Sequence, residues 1–204
     1  MKNPPRSVIV ATRNAHKTEE IRQILGPDFF VTDLSQRGDI PEIAETGETF
    51  AANAILKALA VSQRLAGLVL ADDSGLEVNV LGGAPGVRSA RYAGEPADDR
   101  KNVEKLLAAV QQIDPRGLQR NARFRCVIAI AAAGNVLNTF QGEATGRIID
   151  SPRGFGGFGY DPVFVPTGYD LTFGELPTEV KNQLSHRSRA LAAAKPTLAT
   201  AAGE

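Results

Sequence analysis

Short apolar runs alternate along the chain with amphipathic stretches and glycine-rich breaks. Val8-Ile9-Val10-Ala11 is apolar, β-branched and bounded by polar residues, the pattern of a buried strand. Thr12 to Lys17 has no apolar spacing. Ile21, Ile24 and Leu25 then recur at helical intervals until Gly26-Pro27 stop the helix. Phe29 to Leu34 predicts a second strand. Thr49 is a good N-cap for a long helix from Phe50 to Leu65, with Phe50, Ala54, Leu56, Leu59 and Leu65 along one face and Gly67 at its end. Leu68-Val69-Leu70-Ala71 predicts another buried strand. It runs into Asp72-Asp73-Ser74-Gly75, which is a turn by composition. Leu76, Val78 and Val80 alternate with Glu77 and Asn79 as a half-exposed strand, and Leu81 to Gly94 reads as loop.

In the second half, Asp98 or Asp99 caps a helix whose inner face is Val103, Leu106, Leu107 and Val110. Ala122 to Ala132 alternates, with Phe124, Cys126, Ile128 and Ile130 on one face and Arg123 and Arg125 on the other. Gly134-Asn135 offers a hairpin turn into Val136 to Phe140 and beyond. Ser151 to Gly159 is glycine-rich loop. Tyr160 to Val165 is short and apolar, and Pro162 makes it an edge or a bulge. Pro177 to Asn182 and Ser185 to Lys195 read as two helices, the second capped by Ser185 and stopped by Pro196. Leu198 to Glu204 is weakly patterned and expected to fray. Helix-joined strands in the first half favour parallel pairing, and the later hairpin is antiparallel. The expected fold is α/β, a mixed sheet with helices on both faces.

A chain of 204 residues is expected to be one domain, or one domain with two lobes. At this size about 70% of its surface can be buried, enough for a core without covalent staples. The single cysteine excludes an intrachain disulfide framework and a cysteine-based zinc site. Two histidines disfavour a histidine-held metal, so a metal here would have oxygen ligands. With 23 Lys+Arg against 23 Asp+Glu, the balanced charge argues against bulk binding to a nucleic-acid duplex. A locally basic pocket for one small polyanion stays open. No apolar run reaches membrane-spanning length, and the first residues lack a signal-peptide core. The expectation is a cytoplasmic protein with no membrane partner.

Five segments carry candidate chemistry. Thr12 to Lys17 lies where a strand ends and a helix begins. Unpaired first-turn amides, the positive helix end and the Lys17 charge together suit a phosphate. An ordinary capped helix with a solvated lysine has the same sequence, and no P-loop pattern is present. Asp72-Asp73-Ser74-Gly75 puts two carboxylates after an apolar strand, at the end where α/β sheets take ligands. Their repulsion is resolved by a cation, and oxygen ligands suit Mg²⁺; a solvated turn is the plain alternative. Glu42, Glu45 and Glu48 precede a helix and either add a carboxylate or compensate its dipole. Gly154 to Asp161 offers the π faces of Phe155, Phe158 and Tyr160 to a planar base, or anchors a hydrophobic loop. Lys181 and Ser185-His186-Arg187 form a basic cluster or a basic helix surface. The run Arg116, Arg120, Arg123 and Arg125 has no local acids and reads first as a solvated strand face. Cys126 alternates inward, to the core.

Taken in order, these segments resemble the inosine triphosphate pyrophosphatase family. The matching stretches are Ala11-Thr12-Arg13-Asn14-Ala15-His16-Lys17 with Glu19-Glu20-Ile21, and Glu45-Thr46-Gly47-Glu48-Thr49-Phe50 with Asn53-Ala54-Ile55-Leu56-Lys57-Ala58. They continue with Ala71-Asp72-Asp73-Ser74-Gly75-Leu76, Leu81-Gly82-Gly83-Ala84-Pro85-Gly86 and Ser89-Ala90-Arg91-Tyr92. They end with Gly157-Phe158-Gly159-Tyr160-Asp161-Pro162, Lys181-Asn182 and Ser185-His186-Arg187. The resemblance implies a long mixed sheet in two lobes around a substrate cleft, a homodimer and Mg²⁺ dependence. It implies hydrolysis of ITP, dITP and XTP between the α- and β-phosphates. By position, Thr12, Arg13, Asn14, Ala15, His16, Lys17 and Lys57 would hold phosphates. Asp73 would be the catalytic acid–base residue and a metal ligand, with Ser74 touching substrate. Phe158, Gly159, Tyr160, Asp161, Lys181, His186 and Arg187 would frame base and sugar. Two departures stand out. Arg13 replaces a usual glycine, and Ala44 replaces the first of two acids, leaving the second metal ligand among Glu42, Glu45 and Asp72.

The expected reaction has Asp73 deprotonating the water that attacks the α-phosphorus, with pyrophosphate leaving against Mg²⁺, Lys17 and the helix end. Donors from His186, Arg187 or backbone would pair with the O6 of inosine and xanthine and reject the N6 donor of adenine. A Maf-like nucleotide pyrophosphatase, a nucleotide sensor and a nucleic-acid-binding module are the rival readings. Base preference, retention of a general base, and charge balance respectively separate them.

Overall fold

The computed structural model describes residues 4–201. In chain order its elements are β1 (Arg6–Val10), α1 (Ala15–Leu25), β2 (Phe29–Thr32), α2 (Phe50–Ser62), β3 (Leu68–Val78) and α3 (Asp99–Ile113). They are followed by β4 (Asn121–Ala132), β5 (Asn135–Ile148), β6 (Phe164–Pro166), α4 (Thr178–Leu184) and α5 (His186–Ala201). The strands form a six-stranded sheet in the order β2-β1-β3-β4-β5-β6. β1 pairs in parallel with β2 and with β3, whereas β5 and β6 are antiparallel. The α/β class and the mixed sheet expected from the pattern are therefore observed. Among the described residues no helix is long and apolar enough to cross a membrane.

The chain divides into two compact units. One gathers the residues up to Asp73, Cys126–Gly142 and those from Arg187 onward; the other holds Ser74–Arg125 and Glu143–His186. The core of the first unit packs Val8, Val10, Leu68, Leu70, Cys126, Ile128 and Ile130 against Ile21 and Leu25 of α1 and against Ala190, Leu191, Ala194 and Leu198 of α5. On β3, Val69 and Ala71 alternate with these core positions and are buried as well. The sheet is therefore covered on both faces, as parallel pairing requires. The core of the second unit joins Leu76 and Val78 to Val103, Leu106 and Val110 of α3 and to an aromatic group of Phe124, Phe164 and Phe173. Phe124 meets Phe164 edge-on at 4.8 Å, and Phe164 lies 5.2 Å from Phe173.

Local chemistry explains most element ends. Asn14, Thr49 and Asp98 cap α1, α2 and α3 through side-chain oxygens that accept first-turn amides. The hairpin turn is Ala133-Gly134, one residue earlier than the sequence suggests, with φ of 48° and 76°. Positive φ at both positions matches the strand twist. Asn135 already belongs to β5. Pro162 falls in a short 3₁₀ turn ahead of β6, which is the edge strand. The arginine run is not bare. Arg120 pairs with Asp114 and Asp150, and Arg123 and Arg125 both reach Glu77, so distant acids neutralise it.

Other expectations fail. Asp72-Asp73-Ser74-Gly75 is not a turn but the middle of β3, which runs unbroken from Leu68 to Val78. Pairing inside the sheet overrides a turn-forming composition. Pro196 does not stop α5, which continues to Ala201. An interior proline costs roughly 3 kcal/mol. The far side of it buries Leu198 completely, in line with Ala190, Leu191 and Ala194, and this burial opposes the cost. Leu198 to Ala201, expected to fray, are therefore helical, and residues 202–204 of that tail lie outside the described residues. Leu198→Ala should therefore destabilise the fold by about 2–4 kcal/mol in urea denaturation. A change below about 0.5 kcal/mol, the size of an ordinary surface substitution, would mean that α5 frays beyond Pro196.

Candidate active site

The continuity of β3 through its two aspartates organises the first unit. Neighbouring residues on a strand point to opposite faces. Asp72 shares the face of Leu68 and Leu70, where α1 and α5 pack. Lys17 of α1 approaches Asp72 Oδ1 at 3.1 Å. Arg187 of α5 approaches Asp72 Oδ2 through Nε at 3.2 Å and Nη2 at 2.9 Å, and its third nitrogen holds Glu20. Glu20, Asp72 and Arg187 are buried, Arg187 with 1% exposure, and Lys17 is half-buried. Burial alone would raise the Asp72 pKa, but the charges of Lys17, Arg187 and Lys57 hold it well below the usual carboxylate range. Burial likewise opposes charge on Arg187, and Glu20 and Asp72 keep it protonated.

Asp73 faces the other way, toward α2. Asn53 donates to Asp73 Oδ2 at 3.0 Å, and its own Oδ1 accepts the Gly47 N–H at 2.7 Å. Lys57, one helical turn further, lies 3.8 Å from Asp73 Oδ1 and 2.5 Å from Glu45 Oε1, and donates to the Asp72 carbonyl at 2.7 Å. The Gly47 bond holds the loop that carries Glu45 against α2, and a Cβ at Gly47 would stand 2.7 Å from Asn53 Oδ1. Burial, opposed by Lys57 and helped by the Glu45 charge, pushes the Asp73 pKa up to about 6. Burial would lower the Lys57 pKa, but Asp72, Asp73 and Glu45 raise it. Lys17, Lys57 and Arg187 thus face Glu20, Glu45, Asp72 and Asp73. These groups carry one excess negative charge when every acid is ionised, and none with a proton on Asp73.

At the start of α1, Asn14 Oδ1 accepts the amides of His16 and Lys17 at 3.0 and 3.2 Å, and Thr12 Oγ1 accepts the Asn14 amide at 3.1 Å. Two amides expected to be open are therefore taken by the cap. Ala15 and His16 are exposed. Arg13 turns to the carbonyls of Arg37 and Ile40. Glu42 and Glu48 are exposed, whereas Glu45 is half-buried. Among the described residues no three His, Cys, Asp or Glu side chains converge as a metal cage.

The second unit holds another group of expected residues. Asp161 Oδ2 accepts from Lys181 Nζ at 2.6 Å and from the Phe158 amide at 2.8 Å. The Lys181 ammonium stands 5.1 Å over the Phe158 ring, within cation–π range. Gly157, with φ of 71°, leaves the space this carboxylate needs; a Cβ there would lie 2.0 Å from Asp161 Oδ2. Tyr160 is buried, and its hydroxyl donates to the Ser89 carbonyl at 2.8 Å, so its ring belongs to the core. Phe155 is fully exposed. His186 stacks on Phe124 with centroids 4.8 Å apart and planes 11° from parallel. Ser74 is half-buried on β3.

The expected site residues therefore form two constellations. Lys17, Glu45, Lys57, Asp72, Asp73 and Arg187 belong to the first unit; Phe158, Asp161, Lys181 and His186 belong to the second. Sequence reasoning gave no role to Asn53 or Glu20. The available signal was a polar residue on the inner face of each helix, since both are buried among apolar neighbours.

The chain is similar to known proteins over most of its length. The chain is 46% identical over 187 residues to a dITP/XTP pyrophosphatase of Bacillus subtilis, covering 91% of this chain and 93% of that one. It is 49% identical over 193 residues to a dITP/XTP pyrophosphatase of Geobacter sulfurreducens, covering 94% and 96%. Its fold superposes on the Staphylococcus aureus Ham1 protein with a TM-score of 0.82 at 39% identity, over 95% of this chain and 98% of that one. The Ham1 family profile matches residues 8–197. With the fold and most of the length shared, this chain belongs to the Ham1 family.

Proposed function

We propose that this protein hydrolyses non-standard purine nucleoside triphosphates, the ITP, dITP and XTP class, to the monophosphate and pyrophosphate. The observation that carries the reading is Asp73, a buried carboxylate whose pKa lies near 6, held by Asn53 and flanked by Lys57 and Glu45. Such a group is poised to take a proton near neutral pH. The relatives named dITP/XTP pyrophosphatase support the substrate class.

The chemistry of the donor set fits a divalent cation that arrives with its substrate. Mg²⁺ commonly uses one or two carboxylates plus substrate phosphates and keeps several waters. Asp73 and Glu45 supply two carboxylates, already bridged by the Lys57 ammonium. Asp72 is committed to Lys17 and Arg187 on the other face of β3 and is not part of this set. When bound, Mg²⁺ would neutralise phosphate charge and lower the pKa of water.

Asp73 orients water and accepts its proton as the oxygen attacks the α-phosphorus. Lys17 and Lys57 screen the charge that grows on the departing pyrophosphate. Asp72 and Arg187 keep Lys17 in place, and Asn53 keeps Asp73 in its rotamer. In the second unit the Phe158 ring offers a stacking face. Lys181 and His186 supply donors suited to the O6 of hypoxanthine or xanthine and unsuited to the N6 amine of adenine. Arg187 has all three nitrogens engaged, so it would reach a base only by leaving Asp72 and Glu20. Action in the cytosol as a homodimer belongs to the same proposal.

The direct test is pyrophosphate release from ITP, dITP, XTP, GTP and ATP, with Mg²⁺ and with chelator. Fast, metal-dependent release from the first three and little from the last two is expected; equal rates on all five would remove the base-reading argument. Asp73→Asn should lower kcat by about 10²–10⁴-fold, the usual weight of a general base, with little change in nucleotide binding. A near-normal rate would transfer the proton to another group. Because the ionised form of Asp73 is the active one, kcat/KM should fall as pH drops through about 6. A profile flat down to pH 4 would contradict the assignment.

A further inference from the structure

The loop that presents Phe158 is built from residues poorly suited to hold a ring still. Gly154, Gly157 and Gly159 all have positive φ, of 80°, 71° and 60°. Such glycines leave the unconstrained backbone many alternatives. Three bonds fix it. Asp161 Oδ2 accepts the Phe158 amide, the Tyr160 hydroxyl donates to the Ser89 carbonyl, and Asp99 Oδ2 accepts the Gly159 amide at 2.8 Å. The first two belong to segments already tied to the base-side group or the core. The third comes from α3, sixty residues away, and Asp99 itself is exposed.

The two adjacent aspartates at the start of α3 have separate tasks. Asp98 is the N-cap; its side chain accepts the Lys101 amide at 3.0 Å. Asp99 is therefore not needed to cap the helix, and its carboxylate reaches the loop instead. We infer that Asp99 is a positioning residue for purine recognition: by holding the Gly159 amide it sets the Phe158 ring, beside the Lys181 ammonium that Asp161 holds, for stacking on the substrate base. This rests on the reading of Phe158 as the base platform. Beside a polyanionic substrate, removal of a negative charge should by charge alone tighten binding. The clamp requires the opposite sign.

The experiment compares wild type, Asp99→Ala and Asp99→Asn in three measurements. In steady-state hydrolysis of ITP, Asp99→Ala should raise KM about tenfold, the size of one charge-assisted hydrogen bond, and leave kcat within about twofold. Asp99→Asn, whose amide oxygen still accepts, should recover most of the loss. Inorganic tripolyphosphate, which has phosphates and no base, should inhibit wild type and Asp99→Ala equally. By NMR, the Gly159 amide should exchange faster in Asp99→Ala and not in Asp99→Asn. An unchanged or lowered KM in Asp99→Ala overturns the inference, as does an equal weakening of tripolyphosphate. Wild type that ignores ITP would overturn the proposed substrate and, with it, the recognition role. Unchanged Gly159 exchange would overturn the clamp alone.

Discussion

Two carboxylates on consecutive residues of an extended strand point away from each other, and the first unit of this protein is arranged around that fact. Had Asp72 and Asp73 formed a turn, both would have met solvent. Inside the sheet each must find cations on its own face, because a buried, unpaired carboxylate is too costly to keep ionised. Helices α1 and α5 supply Lys17 and Arg187 to one face, and α2 supplies Lys57 and Asn53 to the other. One of the pair becomes a permanently charged anchor and its neighbour a titratable group, with burial and counter-charges setting the difference.

That division has a consequence for how the chain is held together. Glu20, Arg187 and Asp72 tie α1 to α5 across β3 beneath the apolar contacts of Ile21, Leu25, Leu191 and Leu198. Replacing the whole set by apolar residues need not weaken the fold; removing one member leaves a buried charge behind. The network is better understood as a specification of geometry. It brings Lys17 to the end of β1 and holds it there. In the second unit a smaller version of the same device appears, in which Asp161 fixes both Lys181 and the amide of Phe158.

Much of the fold was legible from local pattern. Strands β1, β3 and β4 follow apolar β-branched runs, and α1, α2 and α3 start at Asn14, Thr49 and Asp98, residues whose side chains prefer the cap. The misreadings share a cause. The Asp-Asp-Ser-Gly turn and the stop at Pro196 both rest on the preference of a few neighbouring residues. Each is reversed by partners far along the chain: the flanking strands for Asp72-Asp73 and the core for Leu198.

The linear pattern is enough for an α/β chain with a mixed sheet and for the motifs that mark its family, because periodicity and residue type need no knowledge of contacts. It named Lys17, Lys57, Asp73, Phe158 and Lys181 as candidates. What each of them touches is set by the folded chain. It put Asp72 and Asp73 on opposite faces, enclosed Arg187 between Glu20 and Asp72, buried the Tyr160 ring, and brought Asn53 and Asp99 to groups twenty and sixty residues away. Charge, burial and hydrogen-bond direction depend on neighbours in space, and a linear pattern carries no record of them.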